Sequence, residues 1–311
     1  QHYDAVIAYS AVMAPYLWGP ETRGMQRVLD MQDVDSEKWR AYAATSRPPM
    51  RQIWAREART LLALERRAAA AFDSTLLVTR EEAAHFVELA PECAVRVDWV
   101  ANGVDLDYFD PDRESANPYD GTAPAIVFTG TMDYRPNVEA VTWFADHVLP
   151  ELRRRQATPP VFHIVGARPS EAVRALASRP GVQVTGAVPD VRPYLAHAAL
   201  AVAPLQIGRG IQNKVLEAMA MARPVVASPE AFQGVQAHAG RDLLVVDGPD
   251  RTVAAIEEVL AGRHAAMGEA ARRAVRASHD WWVTLQRLDA VLAGRPVEHA
   301  PRVPALALQG G

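Results

Sequence analysis

A single cysteine, Cys93, stands in 311 residues. That excludes an internal disulfide framework and the common zinc-finger spacings, and Cys93 itself reads as a small residue near a loop. No apolar run reaches the length that crosses a bilayer. A basic excess is missing too: 33 Lys and Arg against 37 Asp and Glu give a formal net charge of -4. The electrostatic footprint of a nucleic-acid binder is therefore absent, and no nucleic-acid partner is expected. No Asp-x-Asp pair falls in a loop of the second half, and no repeat of solenoid period is visible. The opening "QHYDAVIAYS" lacks the pattern of a secretory signal. It runs at once into what reads as a buried strand, so sequence upstream is expected to be missing.

What is present is globular. The chain is 49% apolar and 23% charged, and its length allows two domains. Short apolar runs alternate with longer helical periods, which predicts α/β with parallel strands. In the first part "DAVIAYS", "RVLDMQD", "STLLVTR" and "VRVDWVANG" read as strands. Residues 36–72 carry a long charged helical pattern, broken into two helices by Arg47-Pro48-Pro49. Its arginines read as a solvated helix face, with a membrane-surface patch as the alternative. "DVDSE" holds Asp33 and Asp35 and reads as a helix N-cap and first turn.

Residues 110–123, "DPDRESANPYDGTA", have the chemistry of a linker. They divide a first domain over 1–109 from a second over 124–279. A last helix over 280–293 is expected to pack back on the first domain, and the tail 294–311 reads as disordered. In a doubly wound sheet, ligands sit beyond the carboxyl ends of the strands. Three strands of the second domain end in glycine, at Gly130, Gly166 and Gly186, which would let a ligand approach the backbone.

The densest chemistry is in "GRGIQNKVLEAMAMARPVVAS", 208–228. A helix beginning near Ile211 would offer unpaired N–H groups and a positive dipole end, which suit phosphate. Gly208 and Gly210 would leave room for backbone donors. Arg209 adds a forked cation and Lys214 a point charge. Glu217, three residues after Lys214, shares its helix face. The bland alternative is a surface Lys–Glu pair. Against it, Val215, Leu216, Met219 and Ala220 mark a largely buried helix, in which a carboxylate needs partners such as ribose hydroxyls.

At this point the chain resembles a known family. Strand, Gly loop, "LEAMAMARPVVAS" and a later "DLLVV" look like the donor site of family-4 retaining glycosyltransferases of the GT-B fold. The resemblance covers about residues 95–293. "FTGTMDYRPNVEAVTWFADHVLPELR", "VTGAVPDVRPYLAHAALAVAPL", "GRGIQNKVLEAMAMARPVV" and "RVLDMQDVDSEKWRAYA" are similar to a narrower subgroup. Its members are sugar transferases associated with exopolysaccharide synthesis in bacteria that use the exosortase (PEP-CTERM) sorting system.

The resemblance implies two facing Rossmann-like domains, the N-terminal one incomplete. It implies a metal-independent transfer, without cofactor, from a nucleoside-diphosphate sugar to a glycan or lipid-linked acceptor. It implies a cytoplasmic protein, with a peripheral place at the inner face of the plasma membrane left open. Arg209 and Lys214 would stabilise the leaving diphosphate. Gly130, Arg135, Gly166, Val188, Gly210, Ile211, Asn213 and Glu217 would bind the donor, Val188 through the backbone near the base. The chain departs from the family pattern at two places. Arg209 stands where a first motif glutamate is usual. Thr131 stands where an arginine is usual, with Arg135 near a lysine position. Two alternatives stay open, a nucleotide-sugar epimerase of the same fold and a non-catalytic nucleotide-sugar-binding relative. The epimerase would need cleft histidines, and His163 and His197 read as structural.

Overall fold

In the computed structural model, which describes residues 3–208 and 210–294, the chain forms two parallel α/β sheets. The first sheet holds β1 (Ala5–Tyr9), β2 (Gln26–Gln32), β3 (Ser74–Leu77) and β4 (Val97–Trp99), in that spatial order. Between β2 and β3 lie α1 (Asp35–Thr45) and α2 (Met50–Ala71), and α3 (Arg80–Leu89) leads to β4. The break between α1 and α2 falls on Pro48-Pro49, where the missing N–H and the fixed φ end a helix. Val34, not an aspartate, occupies the N-cap of α1, and its side chain caps nothing.

β1 corrects one sequence reading. It forms, but Ile7 and Tyr9 are exposed, because β1 lies at the sheet edge, where β2 is the only strand that pairs with it. An apolar run fixes strand formation; it does not tell edge from centre.

The second sheet is built from β5 (Ala125–Thr129), β6 (Val161–Val165), β7 (Val182–Gly186), β8 (Leu200–Ala203), β9 (Val225–Ala227) and β10 (Leu244–Val245). The helices of this half of the chain are α4 (Arg135–His147), α5 (Leu149–Arg155), α6 (Glu171–Ala175), α7 (Arg192–His197), α8 (Asn213–Ala220), α9 (Pro229–Phe232), α10 (Pro249–Leu260), α11 (Met267–Ser278) and α12 (Trp281–Leu292). Every residue of β5 and of β8 is buried, as expected of central strands covered on both faces. Phe128, Phe144 and Phe162 anchor the core between this sheet and α4.

The strand order is β10-β9-β8-β5-β6-β7. The chain leaves β5 in one direction through β6 and β7, then returns to pair β8 with the other side of β5. The order reverses between β5 and β8, and a crevice opens at the carboxyl ends of strands at such a point.

From β4 to β5 the chain has no regular helix or strand. It is nonetheless fixed. Tyr119 packs at a tilt against His163 and donates from its hydroxyl to the Tyr194 carbonyl at 2.5 Å. At the crossover, buried His279 accepts at Nε2 from the Gln236 N–H and donates from Nδ1 to the Asn102 carbonyl. Helix α12 then lies on the first sheet. Val291 packs with Val28 and Leu76, and Arg287 donates to the Trp99 carbonyl and the Asp98 carboxylate. Residues 295–311, part of the tail read as disordered, lie outside the described residues.

Candidate functional site

The loops after β5 and β8 flank the reversal, and a cavity of about 510 Å³ lies there. Gly130 and Gly166 form part of its wall from the ends of β5 and β6, and Val188 contributes from the loop after β7. Ile211, Asn213, Lys214 and Glu217 close it from α8 and the loop before it. Seven of the sequence-chosen residues thus meet around one space.

Helix α8 starts at Asn213, two residues later than the periodicity indicates, with Gln212 as N-cap. Lys214 is therefore in its first turn. Its ammonium donates to Gln212 Oε1 at 3.2 Å and stands 5.6 Å from the Phe128 ring. Val215, Leu216, Ala218, Met219 and Ala220 are all buried, so the helix can present charge only toward the cavity. Burial lowers the Lys214 pKa to about 8, partly opposed by the charge of Glu217. Burial likewise raises the pKa of Glu217, and Lys214 opposes that rise. Each group is held at a cost in solvation that an anionic ligand on the lysine and hydroxyl donors on the glutamate would offset.

The glycines have a second role. The Gly130 N–H donates to the Val165 carbonyl at 3.1 Å and the Gly166 N–H to the Gly186 carbonyl at 3.2 Å. The strand ends are thus stitched to one another as well as open to a ligand. Gly186 closes this series but does not line the cavity. Gly210 does not line it either. It has a φ of +62°, and a Cβ there would overlap the Asp33 carboxylate and crowd Val78. A Cβ on Gly208 would meet the Glu230 carbonyl at 2.5 Å. The room these glycines leave is taken by protein, and at Gly210 by the carboxyl ends of the first sheet.

Arg135 departs from the sequence reading. It does not line the cavity. Its guanidinium pairs with Glu139 one turn on, at 2.7 Å, and lies 5.0 Å from the Tyr42 ring of α1. A partner on its own helix and an aromatic ring from the other lobe hold it at the rim. Arg209 lies outside the described residues.

Sequence reasoning missed Tyr134, Gln212 and Asn137, which also line the cavity, as does Thr131. Asn137 was detectable. It shares a buried stripe of α4 with Ala140, Val141 and Phe144, where an amide is out of place without a task. It is 4% exposed, and its Nδ2 donates to the Thr131 carbonyl at 2.9 Å. The same Nδ2 lies 2.7 Å from where a Gly130 Cβ would sit. The amide thus braces the turn that leaves β5. Replacing Asn137 with leucine removes a hydrogen bond worth about 1 kcal/mol net. Affinity for a ligand of this cavity is expected to fall up to roughly tenfold, read by calorimetry. Parent-like affinity would show the brace to be idle.

Residues 123–262 match the family model described as Glycosyl transferases group 1. A sequence comparison with curated proteins finds no match. Among solved structures, sucrose-phosphate synthase from Thermosynechococcus elongatus is similar over 94% of this chain and 73% of its own. The TM-score is 0.71 and the identity 16%. Anabaena HepE, solved in complex with UDP-glucose, is similar over 94% of this chain and 79% of its own, with a TM-score of 0.68 and 13% identity. WaaG, a glycosyltransferase involved in lipopolysaccharide biosynthesis, is similar over 93% and 78%, at 0.67 and 16%. At such identities the likeness is one of fold, and the fold is GT-B. The second lobe matches the model of a glycosyltransferase group 1 domain, and its cavity is the candidate active site.

Proposed function

We propose that the protein transfers a sugar, with retention, from a nucleoside-diphosphate sugar to a glycan or lipid-linked acceptor. The observation that carries this reading is the Lys214–Glu217 pair, half-buried on α8 and facing the cavity at the sheet reversal. A diphosphate would lie against the α8 N-terminus and the Lys214 ammonium. Ribose hydroxyls would donate to Glu217. Charge that develops on the leaving diphosphate would be met by groups already in place. A lysine and a helix N-terminus can supply that positive charge, so the transfer is proposed to be metal-independent and to survive a chelator. UDP-glucose bound to HepE, a protein of this fold, supports a nucleoside-diphosphate sugar as the donor class. Retention, membership of family 4 and a role in exosortase-linked exopolysaccharide synthesis rest on the motif resemblance. Arg209 keeps its proposed role as a further diphosphate cation from its sequence context alone.

The epimerase alternative loses its histidines. His163 sits inside β6 against Tyr119, with its pKa pushed down to about 4 by burial. His197 contacts the Ser115 carbonyl, and neither lines the cavity.

Screening nucleoside-diphosphate sugars for thermal stabilisation tests the reading. A donor at a hundred times its dissociation constant adds about 2.7 kcal/mol of stability. Transfer to an acceptor then separates an enzyme from a binding relative, and isomerised donor without acceptor would mark an epimerase. Glu217→Gln gives a sharper test. Because burial already disfavours the Glu217 charge, the amide should leave the ligand-free protein no less stable. Charge-assisted hydrogen bonds worth about 1.5–3 kcal/mol are lost, so donor affinity should fall roughly tenfold or more. Unchanged affinity in the folded variant would remove ribose binding from Glu217.

A further inference from the structure

We propose that Lys214 is a site of covalent control, where an acyl phosphate transfers its acyl group to the lysine amine and so shuts the cavity to diphosphates. The chain writes its cations almost wholly as arginine: of 33 Lys and Arg, Lys38 and Lys214 are the two lysines. A guanidinium stays charged, whereas a buried amine can give up its proton and take an acyl group. The chain thus offers two side-chain amines to an acylating reagent, and their surroundings differ. Lys38 stands 5.6 Å from the Tyr134 ring and 5.9 Å from the Trp39 ring, and it does not line the cavity. Lys214 does, and among the described residues it is the one cationic side chain on that wall.

The cavity supplies both a reactive amine and a reason for the reagent to stop beside it. Its volume of about 510 Å³ admits a small acyl phosphate. The phosphate would be drawn to the N-terminus of α8, which begins at Asn213, one residue before Lys214. A phosphate held there brings its acyl carbon within reach of the amine, and such proximity accelerates the reaction. The amine is flanked by the Phe128 ring and Gln212 Oε1. The charge of Glu217 favours the ammonium, but burial outweighs it and brings the pKa to about 8. About a tenth of the amine is then neutral at pH 7, against roughly one part in three thousand for an ordinary lysine. The neutral amine attacks the acyl carbon. An N–C bond forms, the C–O bond to phosphate breaks, inorganic phosphate leaves with the electron pair, and the amine proton passes to solvent. The product amide carries no charge. Among the described residues the charge left on the cavity wall is that of Glu217, which disfavours a diphosphate. This control rests on the reading of the cavity as a diphosphate site, and not on sugar transfer.

Treating the full chain with acetyl phosphate and mapping the product by mass spectrometry tests it. Lys214 should be acetylated at least roughly tenfold faster than Lys38. Inorganic pyrophosphate at a hundred times its dissociation constant should slow the Lys214 reaction about a hundredfold and leave Lys38 alone. Acetyl coenzyme A should show no such preference, because its pantetheine arm holds the acyl carbon far from its diphosphate. The acetylated protein should bind pyrophosphate at least roughly tenfold more weakly by calorimetry, while Lys214→Arg treated in the same way keeps its affinity. The proposal is overturned if Lys214 reacts no faster than Lys38, if pyrophosphate does not protect it, if acetyl coenzyme A shows the same preference, or if the acetylated protein binds pyrophosphate as the parent does. Pyrophosphate bound beside an unreactive Lys214 would overturn the control and leave the donor site standing. A parent that binds no pyrophosphate would overturn the diphosphate reading as well.

Discussion

Lys214→Met is expected to fold, to melt no lower than the parent, and to transfer sugar roughly a hundredfold to a thousandfold more slowly. The magnitude is that of removing one preorganised charge stabiliser. The stability half of the expectation follows from the lysine's surroundings. Its ammonium is buried against Phe128 with one glutamine oxygen as hydrogen-bond acceptor, and burial brings its pKa to about 8. Methionine fills a similar volume without charge, so the ligand-free fold loses little. A surface Lys–Glu pair would behave differently, with small effects on both stability and transfer.

The pH dependence separates the two roles of this lysine. Its folded pKa, about 8, lies below the ordinary 10.5. Between those values the unfolded chain holds the proton and the folded one has released it. The group's contribution to stability therefore rises with pH across that window. Donor binding runs the other way, because only the protonated amine attracts a diphosphate. Donor affinity should weaken as pH rises above about 8, and also as pH falls through the raised pKa of Glu217. Lys214→Arg should hold its charge through the alkaline limb and remove that loss. Calorimetric titration of donor across pH, beside denaturant melts of the ligand-free protein, reads both slopes. If donor affinity stayed flat from neutral pH to pH 10 in the parent, Lys214 would not be the diphosphate cation.

The features legible in the sequence were those encoded locally. Apolar runs at strand length and amphipathic stretches placed the elements of both lobes, and the reversal of strand order follows once the sheet is known. Lys214 and Glu217 stood out because charge at a three-residue spacing interrupts an otherwise buried helix. Asn137 carried the same kind of signal in α4. Contacts between the lobes were not legible. Nothing near Arg135 in the chain announces Tyr42, and nothing near Gly210 announces Asp33. Exposure of β1 had the same origin: its apolar residues resemble those of a central strand, and only the pairing order reveals the edge.

The second large effect is expected at Gly166, and it concerns how the cavity is held open. At a φ of +152° the residue turns the chain out of β6, and a Cβ there would overlap the carbonyl oxygen of Gly130. That oxygen belongs to backbone, which cannot swing aside as a flexible side chain can. Either β5 and β6 separate at their carboxyl ends, or the Gly130 turn moves into the cavity and off its Asn137 brace. Gly166→Ala should therefore cost about 3 kcal/mol or more and should abolish donor-induced stabilisation in whatever folded protein remains. Gly186→Ala is the control. Its φ is +70°, with open space where a Cβ would stand, so only backbone strain of about 1–2 kcal/mol is expected, with donor binding kept. Denaturant melts of the two variants with and without donor distinguish the outcomes. Equal losses would mean that both glycines serve conformation alone. A stable, donor-binding Gly166→Ala would mean that β5 and β6 do not approach this closely, and the wall of the proposed diphosphate site would have to be redrawn.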